Sequence, residues 1–368
     1  MRAGEALAKE LLIGNYPLTV GNKYAHPIDL RLGGYPRWWL RPPSDINMRL
    51  PNQVLNTVCF IAHDEAEIRF GGTGFLVAIK GAHENAFLYT VTAKHVAEAV
   101  EHGPYVFGVN TKHGKKVILE TEGSDPVKWY YHPTEPNGVD AAVTPFAPSG
   151  FENLDVDWVR FPEMVVTPES MQKYGIGIGD EIAVIGLFTG FSGRERHFPI
   201  ARIGNLAMVP TERVPVKDFD PMEAYLAEGR SIGGLSGSPV YVRQTVNVQV
   251  PGPDGKTPLA FAATGAIFLL GLMHGHWDLP KGFSSLIQGE TTNMGISIVV
   301  PAHKIMEILN HPELVDMRKK TDEEIAKENL PTPDSALRKQ KLEQVFTKTD
   351  FEAALKKASR KIKLMKKL

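Results

Sequence analysis

Residues 233–239 read Gly-Gly-Leu-Ser-Gly-Ser-Pro and run into a strand-like Val240-Tyr241-Val242. A nucleophilic hydroxyl needs such a setting. Glycine accepts backbone dihedrals that a Cβ forbids, so the chain can bend sharply on both sides of Ser236. With Gly234 in place, the N–H groups of Gly234 and Ser236 can point into one small concavity, which is the geometry of an oxyanion hole. The same string also reads as an ordinary Gly/Ser turn before a strand. A serine hydroxyl is a weak nucleophile alone, so the chemical reading requires a base and a group that orients the base.

Twelve histidines compete for the role of base. His95 stands out, because Thr92-Ala93-Lys94-His95-Val96 places it directly after the apolar run Leu88–Thr92. A short helical turn at the mouth of a strand can hold an imidazole rigidly over a cleft. For the orienter, Asp140 lies in Val139-Asp140-Ala141-Ala142-Val143, flanked by small and apolar residues. Burial there demands a hydrogen-bond partner, and an imidazole N–H supplies one. Asp155 and Asp157 are rivals, but their alternation in Leu154-Asp155-Val156-Asp157-Trp158 reads as the polar face of a half-exposed strand.

The elements that must position these residues are short strands. Val54–Ala62, Ile68–Ile79 around a Gly71-Gly72 bend, and Ala86–Thr92 are apolar and β-branched, and turn signals separate them from strands at 105–110, 116–120 and 127–132. The second half repeats the style, with strands at Glu181–Phe188, Phe198–Met208 and Gly295–Val300. Two long strands, Pro239–Val250 and Leu259–Met273, are expected across a Pro-Gly-Asp-Gly loop. Two β halves of similar length predict an all-β fold of two packed barrels. A helix with proline at its start follows at Pro301–Leu309. Residues 1–51 lack a period and read as a short helix and an extended arm, with Trp38 and Trp39 as packed anchors. Beyond residue 311 the strand pattern stops and charge dominates. A capping signal, Thr349 with Glu352, opens a basic helix toward residue 368, which either docks on an acidic or anionic partner or stands solvated.

Composition bounds the rest. The chain has 368 residues, 43% hydrophobic and 23% charged, with a formal net charge of −1. No whole-molecule field favours nucleic acid or a membrane surface. One cysteine, Cys59, excludes an internal disulfide and a C-x-x-C site. No apolar stretch reaches the length of a membrane span, so a cytoplasmic protein is expected. No cofactor motif emerges. Tyr174–Asp180 looks like a nucleotide loop but leads into a strand rather than a helix. His274-Gly275-His276-Trp277-Asp278 is too short to complete a metal site, so none is expected.

The order His95, Asp140, Ser236 resembles the chymotrypsin-like (trypsin-fold) serine peptidases, in particular bacterial-type members without disulfides. TAKHV is similar to that family's histidine motif, VDAAV to its aspartate motif and GGLSGSPV to its serine motif. Gly71–Val77, Leu269–Gly275 and Gly295–Pro301 resemble neighbouring strands, so the likeness covers about residues 52–310. It implies two six-stranded antiparallel β-barrels, an N-terminal arm (1–51) and a helical extension (311–368). It further implies that Ser236 attacks the scissile carbonyl, His95 takes its proton, Asp140 holds the His95 tautomer, and the Gly234 and Ser236 N–H groups bind the oxyanion. Leu235 departs from the animal digestive members, which carry an aspartate there, so activation by N-terminal cleavage is not implied. Arg230 falls where the family places the base of the substrate pocket, with His274 and His276 beside it. These favour an acidic side chain, or Arg230 points to solvent and the histidines shape the wall. The expected function is a serine endopeptidase acting on protein or peptide substrates. The alternative is a catalytically silent peptide-binding module of the same fold.

Overall fold

The computed structural model describes residues 19–20, 28–29, 50–64, 68–83, 85–121, 128–229, 234–243, 248–251, 258–261, 266–278 and 293–328. The first half contains β1 (Thr19–Val20), β2 (Ile28–Asp29), α1 (Asn52–Leu55), β3 (Val58–His63), β4 (Gly72–Lys80) and β5 (Asn85–Thr92). It continues through α2 (Lys94–Val100), β6 (Tyr105–Asn110), β7 (Lys116–Thr121), β8 (Tyr130–Tyr131), β9 (Ala142–Pro145) and β10 (Val159–Phe161). These strands form one ten-stranded sheet of order β1-β7-β6-β3-β4-β5-β9-β8, with β10 on β4 and β2 on β5. The N-terminal arm thus contributes two short strands: β1 runs parallel to β7 and β2 antiparallel to β5. Trp38 and Trp39 lie outside the described residues.

The second half begins with α3 (Pro168–Tyr174), β11 (Glu181–Gly186), β12 (Ile200–Met208), β13 (Tyr225–Glu228) and β14 (Pro239–Arg243). It ends with β15 (Val248–Pro251), β16 (Pro258–Phe261), β17 (Ile267–Asp278), β18 (Asn293–Pro301), α4 (Ala302–Leu309) and α5 (Pro312–Glu328). Strands β11-β12-β13-β18-β17-β14 close into a six-stranded barrel. One of the two expected barrels is therefore present, beside a larger sheet whose closure is not seen among the described residues. The two long strands expected around the Pro-Gly-Asp-Gly loop are four: β15 and β16 form their own hairpin, separate from β14 and β17.

Two-residue periodicity explains how the barrel and the sheet share one core. On β11, Ile182 and Val184 pack into the barrel cluster while Ala183 and Ile185 pack into the larger cluster of the first half. On β14, Val240 and Val242 face the barrel and Tyr241 the other way; β17 repeats this with Phe268 and Leu270 against Leu269 and Leu272. Strands buried on both faces read as continuous apolar runs, as these do. Tyr241 also reaches across the divide, its hydroxyl 2.9 Å from Thr57 Oγ1.

The chain divides into compact units Met1–Thr321 and Asp322–Leu368, the second described only to residue 328. Within the first unit, Leu314 is fully buried, and the Arg318 guanidinium donates to the Tyr89 hydroxyl at 3.0 Å and the Leu309 carbonyl at 2.9 Å. The basic segment from Thr347 to Leu368 lies outside the described residues.

Candidate active site

Strand β5 is buried throughout and delivers the chain to α2. Val96, Ala97 and Val100 anchor that helix in the core, leaving its first turn at the rim. His95 is the second residue of the helix, where backbone N–H groups have no intrahelical acceptor. Asp140 supplies one. The pairing of Thr92 with Ala142 sets β9 beside β5, so Asp140, just before β9, falls level with the helix start. Its Oδ1 accepts the His95 backbone N–H at 3.0 Å, and its Oδ2 lies 2.8 Å from His95 Nδ1. The Asp140 side chain is fully buried, whereas the His95 side chain is 38% exposed. The imidazole therefore has one nitrogen fixed to a buried carboxylate while the ring stays partly open to solvent.

Ser236 sits in the turn that precedes β14. Gly234 and Gly237 both have positive φ, +92° and +81°, which side chains rarely adopt. The Ser238 N–H donates to the Leu235 carbonyl at 3.0 Å. The peptide is trans-planar, so the Ser236 N–H points the opposite way. Neither the Gly234 N–H nor the Ser236 N–H is spent on a partner among the described residues. Thr73, the second residue of β4 and fully buried, clamps this turn. Its hydroxyl donates to the Gly234 carbonyl at 2.6 Å and accepts the Leu187 N–H at 2.9 Å. Its own N–H donates to the Ser236 carbonyl at 3.0 Å, and its carbonyl accepts from Thr92 Oγ1 at 2.7 Å. The first half of the chain thus shapes the turn that carries the hydroxyl of the second.

The structure adds a residue that sequence reasoning put elsewhere. His274, expected on the wall of the substrate pocket, turns its ring to Asp140, with Nδ1 2.5 Å from the Oδ2 that His95 already uses. The two rings meet edge to face at 5.6 Å, and Phe219 packs edge-on to His274 from the other side at 5.3 Å. The Ser236 hydroxyl donates to the His274 backbone carbonyl at 3.2 Å rather than to His95. The site therefore brings His95, Asp140 and His274 into direct contact, and sets Ser236 against His274 without a Ser236–His95 hydrogen bond. His276 is exposed on the same strand, and Arg230 lies outside the described residues.

Burial by itself raises a carboxyl, but hydrogen bonds and charge from His274 and His95 outweigh it and hold Asp140 well below the ordinary range. Burial by itself lowers an imidazole; the hydrogen bond and charge of Asp140, with Glu98 adding, leave His95 raised above its usual value. An ionised carboxylate only accepts, so both histidines carry their neutral-form proton on Nδ1 and present Nε2 as an acceptor. The sole cysteine, Cys59, is fully buried, and burial pushes its thiol up to about 12, which leaves it inert as a nucleophile.

Charge braces the loop leading to Asp140. Lys304 of α4, almost wholly buried, lies 3.2 Å from Glu135, 3.3 Å from Glu307 and 4.0 Å from Glu223. Arg213 pairs with Glu135, His132 with Glu307 at 2.8 Å and His303 with Glu223 at 3.2 Å.

No protein-family model matches the chain, and no curated protein sequence matches it. Solved structures that resemble it include Deg5, at 15% identity over 69% of this chain and 88% of that one, with a TM-score of 0.40. Others are the apo MamO protease domain from Magnetospirillum magneticum (15% identity, 71% and 100% covered, TM-score 0.41) and the serine endoprotease from Yersinia pestis (16%, 73% and 68%, TM-score 0.38). Two of these carry a protease in their names.

Proposed function

We propose that this chain is a serine endopeptidase of the trypsin-like type, acting on protein or peptide substrates. The observation that supports this best is the fully buried Asp140 holding His95 by both its backbone and its ring. That double hold fixes the imidazole with Nε2 facing the cleft, as a general base requires. Ser236 is the proposed nucleophile. Its hydroxyl turns from the His274 carbonyl to His95 Nε2 by rotation about its side-chain bond, gives up its proton there and attacks the carbonyl carbon. The N–H groups of Gly234 and Ser236 take up the developing oxyanion, and His95 returns the proton to the leaving amine; water then releases the acyl group by the same steps. Asp140 stays ionised and stabilises the imidazolium. We place this activity in the cytoplasm, following the cysteine usage. The fold belonging to this reading is a pair of barrels, the ten-stranded sheet standing for the first.

A fluorophosphonate probe tests the assignment. Wild type should label and Ser236→Ala should not; no labelling of the wild type, or equal labelling of both, rejects it. One observation favours a second reading, a catalytically silent peptide-binding module: the Ser236 hydroxyl bonds to a carbonyl and not to the base. Under that reading intact protein binds peptides without turnover and stays unlabelled.

A further inference from the structure

We propose that His95, Asp140 and His274 form an inhibitory binding site for zinc or a similar divalent cation. The three residues can offer ligand atoms that all lie within 4.8 Å of one another, the one such group among the described residues. Two imidazoles and a carboxylate are a donor set that zinc favours, with one coordination position left for water. The spacing is close to what is needed. Bonds of about 2.1 Å in a tetrahedron place ligand atoms about 3.4 Å apart. The two Nδ1 atoms stand 2.8 and 2.5 Å from Asp140 Oδ2, so each of these two contacts opens by less than an ångström on binding. The His95 side chain is 38% exposed, so the cluster is open to solvent on that side.

The inhibition follows from the tautomers. Asp140 now keeps a proton on Nδ1 of each ring. A cation seated between the rings and the carboxylate needs the Nδ1 lone pairs, so in each neutral ring the proton passes to Nε2. No proton is lost and no oxidation occurs. His95 Nε2, which accepts the serine proton in the peptidase reading, then carries a proton and cannot serve as base. The inhibitory consequence rests on that reading; the binding does not.

Cobalt(II) titration of Ser236→Ala separates the two, since that variant keeps all three ligands and lacks the nucleophile. One equivalent should bind, with the visible bands of tetrahedral cobalt, and zinc should displace it. His274→Asn, which keeps an N–H for Asp140, and His95→Ala should each weaken binding by at least about 10-fold. Circular dichroism checks that each variant is folded; if His274→Asn is not, His95→Ala decides. Absent bands in Ser236→Ala, or bands unchanged in the ligand variants, overturn the site. On wild type, zinc should slow fluorophosphonate labelling and a chelator restore it, and binding without slowed labelling overturns the inhibition. If wild type never labels, the peptidase reading falls while the cobalt result still judges the site.

Discussion

Replacing Thr73 by valine should damage stability and chemistry together. Valine keeps the shape and deletes one hydroxyl, which at this position joins the Gly234 carbonyl to the Leu187 N–H inside a fully buried setting. Both groups lose their partner with no route to water. Stranding a buried polar group costs about 1–3 kcal/mol, so the pair predicts a loss of about 2–6 kcal/mol. The catalytic effect comes from the same carbonyl. Unclamped, the Gly234–Leu235 peptide can rotate and carry the neighbouring donors out of line, and one oxyanion donor is worth about 10²–10³ in rate. Urea unfolding gives the first quantity from the midpoint at constant slope. The second-order rate of fluorophosphonate labelling gives the second. Thr73→Ser restores the hydroxyl and should recover most of both. A valine variant within about 0.5 kcal/mol of wild type, the usual scatter of neutral substitutions, and labelling at an unchanged rate would refute the clamp.

The acid limb of kcat/KM should lie above pH 6.5, because His95 must be neutral to act and its folded value is raised; Asp140→Asn should shift the limb down and cut kcat on the order of 10⁴-fold. The same groups set stability against pH. The Asp140 contribution is present above 3.8 and lost as pH falls through its lowered folded value, whereas that of His95 is full below 6.5 and lost as pH rises through its raised one. Thermal unfolding of wild type and Asp140→Asn at stepped pH should show the acid-side loss in wild type alone. Gly237→Ala should cost about 2–5 kcal/mol, since left-handed backbone adds about 1–2 and overpacking about 1–3; its Cβ would stand 2.2 Å from the Thr73 carbonyl oxygen at φ +81°. Gly103→Ala, which meets nothing within 4 Å, is the control by urea unfolding. Truncation after His311 removes Leu314 and Arg318 and should cost about 2–5 kcal/mol.

The His95–Asp140 pairing was legible because each residue sits in a short string whose local chemistry is distinctive, and the strands around them announce themselves by apolar runs; Ser236 sits in such a string too, but its hydroxyl bonds to the His274 carbonyl. His274 was not legible. Its bond to Asp140 spans 134 residues, and β17 carries a register shift between Met273 and Gly275, which no local pattern encodes. Thr73 was hidden for a different reason: in a strand a threonine looks like an ordinary β-former, and only the folded chain shows all its polar atoms engaged. Strand existence came from periodicity, but barrel closure and the β15–β16 hairpin are matters of long-range register. The proposed boundary near residue 311 followed charge, and charge conceals that Leu314 and Arg318 face inward.

The knot around Lys304 has its own consequence. Three separate segments, around Glu135, around Glu223 and within α4, converge on one ammonium close to the loop that presents Asp140. The barrel beneath is held by apolar contact, which a kosmotropic salt such as sulfate tightens; ion pairs respond in the reverse sense. Sulfate should therefore loosen the rim while firming the body, making ionic strength a dial for the loop that presents Asp140 while the scaffold stays standing.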